Sequence, residues 1–256
     1  MKLSVITVNY NNAAELQRTF QSVAEQSFTD FEYLVIDGGS TDDSINQVKA
    51  YAAHIDYWIS EPDGGIYDAM NKGISQAKGD YCLFLNAGDT LNNEHSLRDA
   101  AACLNHDFVC GSAQLVYANA SAAWNPPTMV DELFFRRRYS ICHQALFIRT
   151  RLLKNRPYRT CYRIAADFEQ IFYEVVVNKA SYAAIGTVIC NYDMSGVSAN
   201  AQRSDEEKKR IVRLFEANGW IAPDELVSMV EDLKVGSRKY KLIGFLVRMA
   251  LKFIKK

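Results

Sequence analysis

What the sequence lacks narrows the field first. No apolar stretch approaches the roughly 18 residues that cross a bilayer. The first hydrophobic run, residues 3–8, is broken by Ser4 and Thr7 and stops at Asn9. It is too short for the core of a secretory signal, and the small residues that would follow one are missing. Neither sign of charge dominates. The chain has 29 Lys and Arg against 30 Asp and Glu, a net charge of −1, which argues against a general nucleic-acid binder. The six cysteines (Cys82, Cys103, Cys110, Cys142, Cys161, Cys190) show neither Cys-x-x-Cys spacing nor a paired framework. They read as reduced thiols of a cytoplasmic protein, mostly core, and they speak against a zinc site. Glycine-rich phosphate loops are absent too. Asn9-Tyr-Asn-Asn12 stands where a dinucleotide fold would carry Gly-x-Gly-x-x-Gly, and no P-loop exists. The Gly-rich loop of a sugar-nucleotide nucleotidyltransferase is likewise missing, and there is no internal repeat.

What is present is an ordinary globular composition. The 256 residues are 48% hydrophobic and 23% charged, enough for a real core in one domain plus an extension. Residues 3–8 read as a buried, β-branched strand. Asn11 or Asn12 can cap a helix whose apolar face is Leu16, Phe20 and Val23, spaced i, i+4, i+7. A second strand is expected over 31–36, then a helix capped by Asp42 or Asp43 that carries Ile45, Val48 and Ala52. A third strand at 57–60 runs into Pro62-Asp-Gly-Gly65, a helix follows over 66–77, and a fourth strand covers 81–85. This β-α alternation predicts a mainly parallel sheet with helices on both faces. Farther on, strands are expected at 108–110, 114–117, 143–148 and within 182–191, with a helix from Asp167 to Val177. From Arg203 onward the pattern is helical.

Every polar motif of the first half falls at the carboxyl end of a strand: 7–12, 37–43, 63–65 and 86–89. In open α/β sheets ligands bind there. With no glycine loop to hold phosphates, the economical device is a divalent metal on carboxylates.

Four segments carry a resemblance: Ser4-Val-Ile-Thr-Val-Asn-Tyr-Asn11, Val35-Ile-Asp-Gly-Gly-Ser-Thr-Asp42, Glu61-Pro-Asp-Gly-Gly-Ile-Tyr-Asp-Ala-Met-Asn-Lys-Gly73 and Leu83-Phe-Leu-Asn-Ala-Gly-Asp89. In this order and spacing, over about residues 3–200, the chain resembles the family 2 glycosyltransferases of the GT-A fold. It looks most like the branch containing colanic-acid-type and other exopolysaccharide transferases. The resemblance implies an α/β, Rossmann-like, mainly parallel mixed sheet over 1–200 and a helical extension over 201–256. It implies inverting transfer from a nucleotide-sugar, a UDP-sugar foremost, to a hydroxyl of a lipid-linked glycan, with Mn²⁺ or Mg²⁺ as cofactor.

The same resemblance assigns residues. Thr7, Asn9 and Asp37 would hold the donor's base or ribose, although Asp37 and Asn9 could equally organise turns. Asp68, Asn71 and Lys72 would meet the donor, Lys72 through its phosphates; an Asp68–Lys72 salt bridge at i, i+4 competes with that role. Asp89 would bind the metal, within an Asn86-Ala-Gly-Asp89 run that departs from the family's Asp-x-Asp by the neutral Asn86. Asp167 would be the general base, with Glu169 the runner-up on another helix face, and His143 would stand near acceptor and diphosphate. Ser195 and Gly196, in Asp193-Met-Ser-Gly-Val-Ser198, would belong to a closing loop.

Two basic features remain. Arg136-Arg-Arg138 suits a lipid diphosphate or plain solvent. After Asp232 the chain has no acidic residue, and eight basic residues from Lys234 to Lys256 alternate with Leu242, Phe245, Leu246, Phe253 and similar. That pattern fits an interfacial helix on the inner face of the cell membrane, or a helix packed on the body. Two other functions stay open: a non-catalytic membrane-associated partner that keeps the fold, and a nucleotidyltransferase.

Overall fold

A computed structural model describes residues 3–194, 201–224 and 227. The chain divides into two compact units, Met1–Glu207 and Lys208–Lys256.

In the first unit the order begins β1 (Leu3–Asn9), α1 (Ala13–Ala24), β2 (Phe31–Asp37), α2 (Ser44–Ala50), β3 (Tyr57–Ser60), α3 (Ile66–Gln76) and β4 (Tyr81–Phe84). These four strands pair in parallel in the order β3-β2-β1-β4. The chain thus builds outward from β1 to β3, then returns across the sheet through α3 to place β4 on β1's other side. The gap between the carboxyl ends of β1 and β4 is the topological switch point, where such sheets open a crevice.

Side-chain alternation fixes what each face does. Leu3 and Val5 of β1 and Tyr33 and Val35 of β2 pack with Leu16, Phe20 and Val23 of α1 and Val48 of α2. Ser4 and Ile6 lie on the opposite face, which α3 covers. Helix and strand approach so closely there that a Cβ on Gly73 would lie 2.6 Å from Ile6 Cγ2. Ser4 donates to buried Glu32 at 2.6 Å, and Glu32 also accepts the Gly79 amide at 2.9 Å, tying the α3–β4 turn to both strands.

The rest of the sheet is mixed. It contains β5 (Thr90–Leu91), β6 (Phe108–Tyr117), β7 (Ala120–Trp124), β8 (Leu146–Arg149) and β9 (Tyr182–Asp193). β8 joins β4 and β6 antiparallel, and β9 lies parallel to β6 and antiparallel to β5. The helices here are α4 (Ser96–Ala101), α5 (Glu132–Arg136), α6 (Thr150–Asn155) and α7 (Ala166–Phe172), and α8 (Ala201–Ala217) spans the unit boundary. In the second unit Ile211, Phe215 and Ile221 are buried, and the Trp220 ring stands edge-on to Phe215 at 5.0 Å.

Several boundaries differ from the sequence reading. The two strands expected around Gln114 are one, bent by an irregular register at Ser112. The strand expected from His143 begins at Leu146, because His143–Ala145 form a 3-10 turn. The helix expected from Asp167 begins one residue earlier and widens into a π-turn over Tyr173–Val177. Asn12 is the N-cap of α1, yet its side chain makes no cap bond. Asp42 does that work from the next loop, accepting the amides of Ala13 and Ser44 at 3.0 Å each. The basic tail lies outside the described residues, among which no helix is long and apolar enough to cross a membrane.

Candidate active site

The site begins where β1 and β2 end side by side. Asn9 and Asp37 are register partners, and Asn9 Nδ2 donates to Asp37 Oδ1 at 2.7 Å. Asp37 is buried and also accepts from the Ser40 hydroxyl (2.6 Å), the Ser60 hydroxyl (2.7 Å) and the amides of Gly39 and Ser40 (3.1 and 2.8 Å). Burial alone would raise its pKa. The donors around it outweigh that and hold it below the usual carboxylate value. Asp37 is therefore an ionised hub that shapes the loop. Asn9 Oδ1 is left buried without a hydrogen-bond partner, so Asn9 keeps one acceptor in reserve. Beside them Tyr10 is 66% exposed. A Cβ on Gly38 would meet Asp63 Oδ2 at 2.6 Å and the Tyr10 ring at 3.3 Å, so glycine alone lets these groups close over the strand ends.

The Pro62–Gly65 turn leads into α3. Asp63 Oδ1 accepts the Gly65 amide at 2.8 Å, and Asp68 Oδ2 accepts the Gly64 amide at 2.9 Å. Arg163 Nη1 donates to the Gly64 carbonyl at 2.6 Å. Gly64–Asp68 on one side and Thr160, Tyr162 and Arg163 on the other line a small open cleft. From its wall the Tyr67 hydroxyl lies 2.7 Å from Asp167 Oδ1 and 2.6 Å from the Ile164 carbonyl. Asp167 sits half-buried in the first turn of α7, where the helix dipole favours a carboxylate.

The third part hangs from β4. Asp89 is buried, its Oδ1 accepts the Asp193 amide at 3.0 Å, and its own amide bonds the Asn86 carbonyl at 2.9 Å. Burial pushes its carboxyl up to about 7, against the pull of the Asp193 amide and Gln144. Asn86 Oδ1 is a buried acceptor with no partner. A carboxyl short of compensating charge, three residues from an unpartnered oxygen on the same loop after β4, suits a hard cation. Among the described residues no group of three or more His, Cys, Asp and Glu is placed to hold a metal ion. Asn12 Nδ2 reaches the Ala87 carbonyl at 3.4 Å and links this loop to the end of β1.

Several expected residues have other work. Thr7 is fully buried on the α1 face of the sheet, its hydroxyl 2.8 Å from that of Tyr33, so it does not reach the crevice. The Asn71 amide bonds both the N–H and the C=O of Tyr158, at 2.9 and 2.8 Å. It is a strut between α3 and the segment before α7. Lys72 pairs with Glu61 at 2.8 Å and donates to the Pro62 carbonyl at 3.0 Å, rather than bridging to Asp68. His143 is a core residue, stacked on Phe84 at 4.9 Å with Nε2 2.8 Å from the Tyr158 hydroxyl. Burial holds its pKa below the ordinary value, which keeps it neutral.

Glu169 is wholly buried in a two-bond pair with Arg156, at 2.6 and 2.9 Å, and is unavailable as a base. The basic run is no uniform surface: Arg136 is buried against Glu132 at 2.9 Å, and Arg138 pairs with Asp205. Ser195 and Gly196 lie outside the described residues. Tyr10, Tyr67 and Asp193 escaped the sequence reading as individual site residues. All three stand inside the quoted segments, and Asp193 closes β9 beside Gly88, whose added Cβ would be 3.4 Å from Asp193 Oδ2.

Comparison with known proteins completes the site. The family profile "Glycosyl transferase family 2" matches residues 4–165. A "PGL/p-HBAD biosynthesis glycosyltransferase" of Mycobacterium bovis is 34% identical over 174 residues, 65% of this chain and 66% of that protein. The match thus covers just under two thirds of that relative's length. An uncharacterized glycosyltransferase of Mycobacterium tuberculosis is 33% identical over 210 residues, 79% of each chain. Among solved structures, Staphylococcus aureus TarS 1–349 in complex with UDP shares the fold at a TM-score of 0.66 and 23% identity, covering 84% of this chain and 65% of that one. A mannosyltransferase of Pyrobaculum calidifontis in complex with GDP-Man and Mn²⁺ does so at 0.61 and 15% identity, over 99% of this chain and 84% of that one. The profile takes in well over half of the sequence, its motifs lie at the strand ends that form the crevice, and the chain belongs to glycosyl transferase family 2.

Proposed function

We propose that this chain is an inverting glycosyltransferase that moves a sugar from a nucleoside-diphosphate sugar to a hydroxyl of a growing glycan. The observation that carries this reading is the β4 loop, where a buried carboxyl with a raised pKa and an unpartnered carboxamide oxygen stand at the sheet's switch point. That combination wants positive charge, and a nucleoside diphosphate with a divalent cation brings it. Asp89 and Asn86 would hold the cation, Mn²⁺ or Mg²⁺, which when bound neutralises the departing diphosphate. Complexes of structural neighbours with UDP, UDP-GlcNAc and GDP-Man support this class of donor.

At the β1–β2 end, Tyr10 offers an exposed aromatic face for a base to stack on. The free Asn9 Oδ1 suits the imide N–H of a uracil or thymine ring, which favours a UDP- or dTDP-sugar. Asp167 takes the acceptor's proton as the hydroxyl attacks the anomeric carbon. It is accessible and held by Tyr67, whereas Glu169 is locked away. The acceptor is a lipid-linked glycan presented at the cytoplasmic membrane face, which the basic tail contacts; the tail's composition supports this. The resemblance to colanic-acid-type exopolysaccharide transferases fits the same setting.

The test is a thermal-shift panel of UDP, dTDP and GDP, each with and without Mn²⁺, because a ligand that binds only the folded state raises the melting temperature. A shift that requires both UDP and Mn²⁺, and is lost in Asp89→Ala, is expected. No shift with any nucleotide would overturn the reading.

A further inference from the structure

The segment that delivers Asp167 into the site is held by a residue far away in the sequence. Ala165, the N-cap of α7, has no side chain able to cap it. The chain entering the helix must therefore find partners for its amides elsewhere. Three consecutive N–H groups, those of Arg163, Ile164 and Ala165, converge on the carboxylate of Glu207. Oε2 accepts all three, at 3.1, 2.9 and 3.0 Å, and Oε1 accepts Arg163 again at 2.9 Å. Two residues earlier on the same helix, Asp205 pairs with Arg138, a second tie between this stretch and the body of the first unit.

From the geometry we infer that Glu207 is a positioning residue for Asp167, an inference that rests on Asp167 being the general base. Ile164 is the pivot. Its amide is held by Glu207 and its carbonyl lies against the Tyr67 hydroxyl, which also contacts Asp167 Oδ1 at 2.7 Å. The peptide units on both sides of Ile164 are thereby fixed, one by α8 and one by α3. Asp167 follows three residues on and inherits that orientation. A carboxylate suits this position, since one of its oxygens gathers all three adjacent donors while the other accepts the first again. Removing it frees three amides at once and lets the first turn of α7 drift. A base displaced by even an ångström loses much of its rate.

The test compares wild type, Glu207→Ala, Glu207→Gln and Asp167→Asn. Turnover is read as nucleotide release from UDP-glucose, UDP-GlcNAc and GDP-mannose with water as acceptor, and binding as the melting shift with UDP and Mn²⁺. Glu207→Ala is expected to lower kcat roughly 10- to 100-fold while KM for the donor and the UDP shift stay within about twofold. Glu207→Gln, which keeps an acceptor oxygen, should recover much of kcat. If Glu207→Ala keeps kcat within about twofold while Asp167→Asn abolishes turnover, the positioning role is wrong and the base stands. If Asp167→Asn remains active, the base assignment falls and takes this inference with it. If kcat and melting temperature fall and donor KM rises together in both Glu207 variants, Glu207 is scaffold only. No release by wild type from any of the three donors overturns both readings.

Discussion

The two acidic residues of α7's first turn allow stability and catalysis to be separated. Glu169 has no exposed surface and shares two hydrogen bonds with Arg156, whose guanidinium also lies 4.0 Å over the Tyr173 ring. Arg156→Ala leaves that carboxylate buried and unpaired, a change that costs about 3–5 kcal/mol in comparable buried pairs. Arg159 Nη1, 3.6 Å from Glu169 and 46% exposed, offsets part of the loss, so we take the lower end, about 3 kcal/mol. For a domain of this size that is a fall in melting temperature of roughly 6–12 °C. Glu169→Gln keeps the shape and one acceptor and should cost less. Measured below its melting point, it should retain kcat within about threefold, because it touches no reacting atom. Asp167→Asn should do the reverse, lowering kcat about 10²-fold or more while leaving the melting temperature nearly unchanged. Thermal and urea denaturation beside steady-state turnover decide the matter. A Glu169→Gln enzyme that melts like wild type but has lost turnover, together with an active Asp167→Asn, would reverse the assignment and refute the reasoning.

Two further outcomes are expected. Asp89 has its folded pKa raised from 3.8 to about 7, so the folded state holds this proton more tightly and its ionisation opposes folding. The penalty is absent well below pH 3.8, grows as pH rises through that value, and is complete above pH 7, where about three units correspond to roughly 4 kcal/mol. Asp89→Asn should therefore melt close to wild type near pH 4 and higher than it at pH 8; a difference that does not change with pH would count against it. For the tail, deleting residues from Gly236 onward should abolish flotation with vesicles containing about 30% anionic lipid at moderate salt, since each basic residue adds about 1 kcal/mol of attraction to such a surface. Equal flotation of both forms would rule out the tail as the anchor.

Much of the first half is legible in the sequence because its signals are local. β-branched strands end abruptly in polar runs, and Leu16, Phe20 and Val23 mark the buried face of α1, so the parallel order follows directly. The misreadings have a common cause. Thr7 and Asn9 lie on the same face of β1 and both are buried, but the first is taken up by Tyr33 and the second by Asp37 at the strand end, which depends on packing rather than pattern. His143 looks like a catalytic histidine until β8 pairs beside β4 and lays it on Phe84. Spacing alone puts Glu169 and Asp167 on different helix faces, while the arginine that claims Glu169 sits 13 residues upstream. β5 has two residues and β7 is Ala-Ser-Ala-Ala-Trp; neither carries a period that a strand could be read from. Glu207 is invisible in the sequence because its partners are backbone amides more than 40 residues away.

The strut at Asn71 also bears on how such enzymes can be recombined. Its side-chain amide mimics a strand neighbour, satisfying both polar groups of Tyr158 across 87 residues of sequence, and Tyr67 on the same helix reaches the α7 segment 97 and 100 residues on. Residues 66–76 and 158–167 are thus one inherited module despite their separation, and a chimera that takes them from different parents would set the base against a foreign helix. Phe135 of α5 stacks on Phe172 at 4.5 Å and meets Phe168 edge-on at 5.3 Å, so α5 has to travel with that module as well.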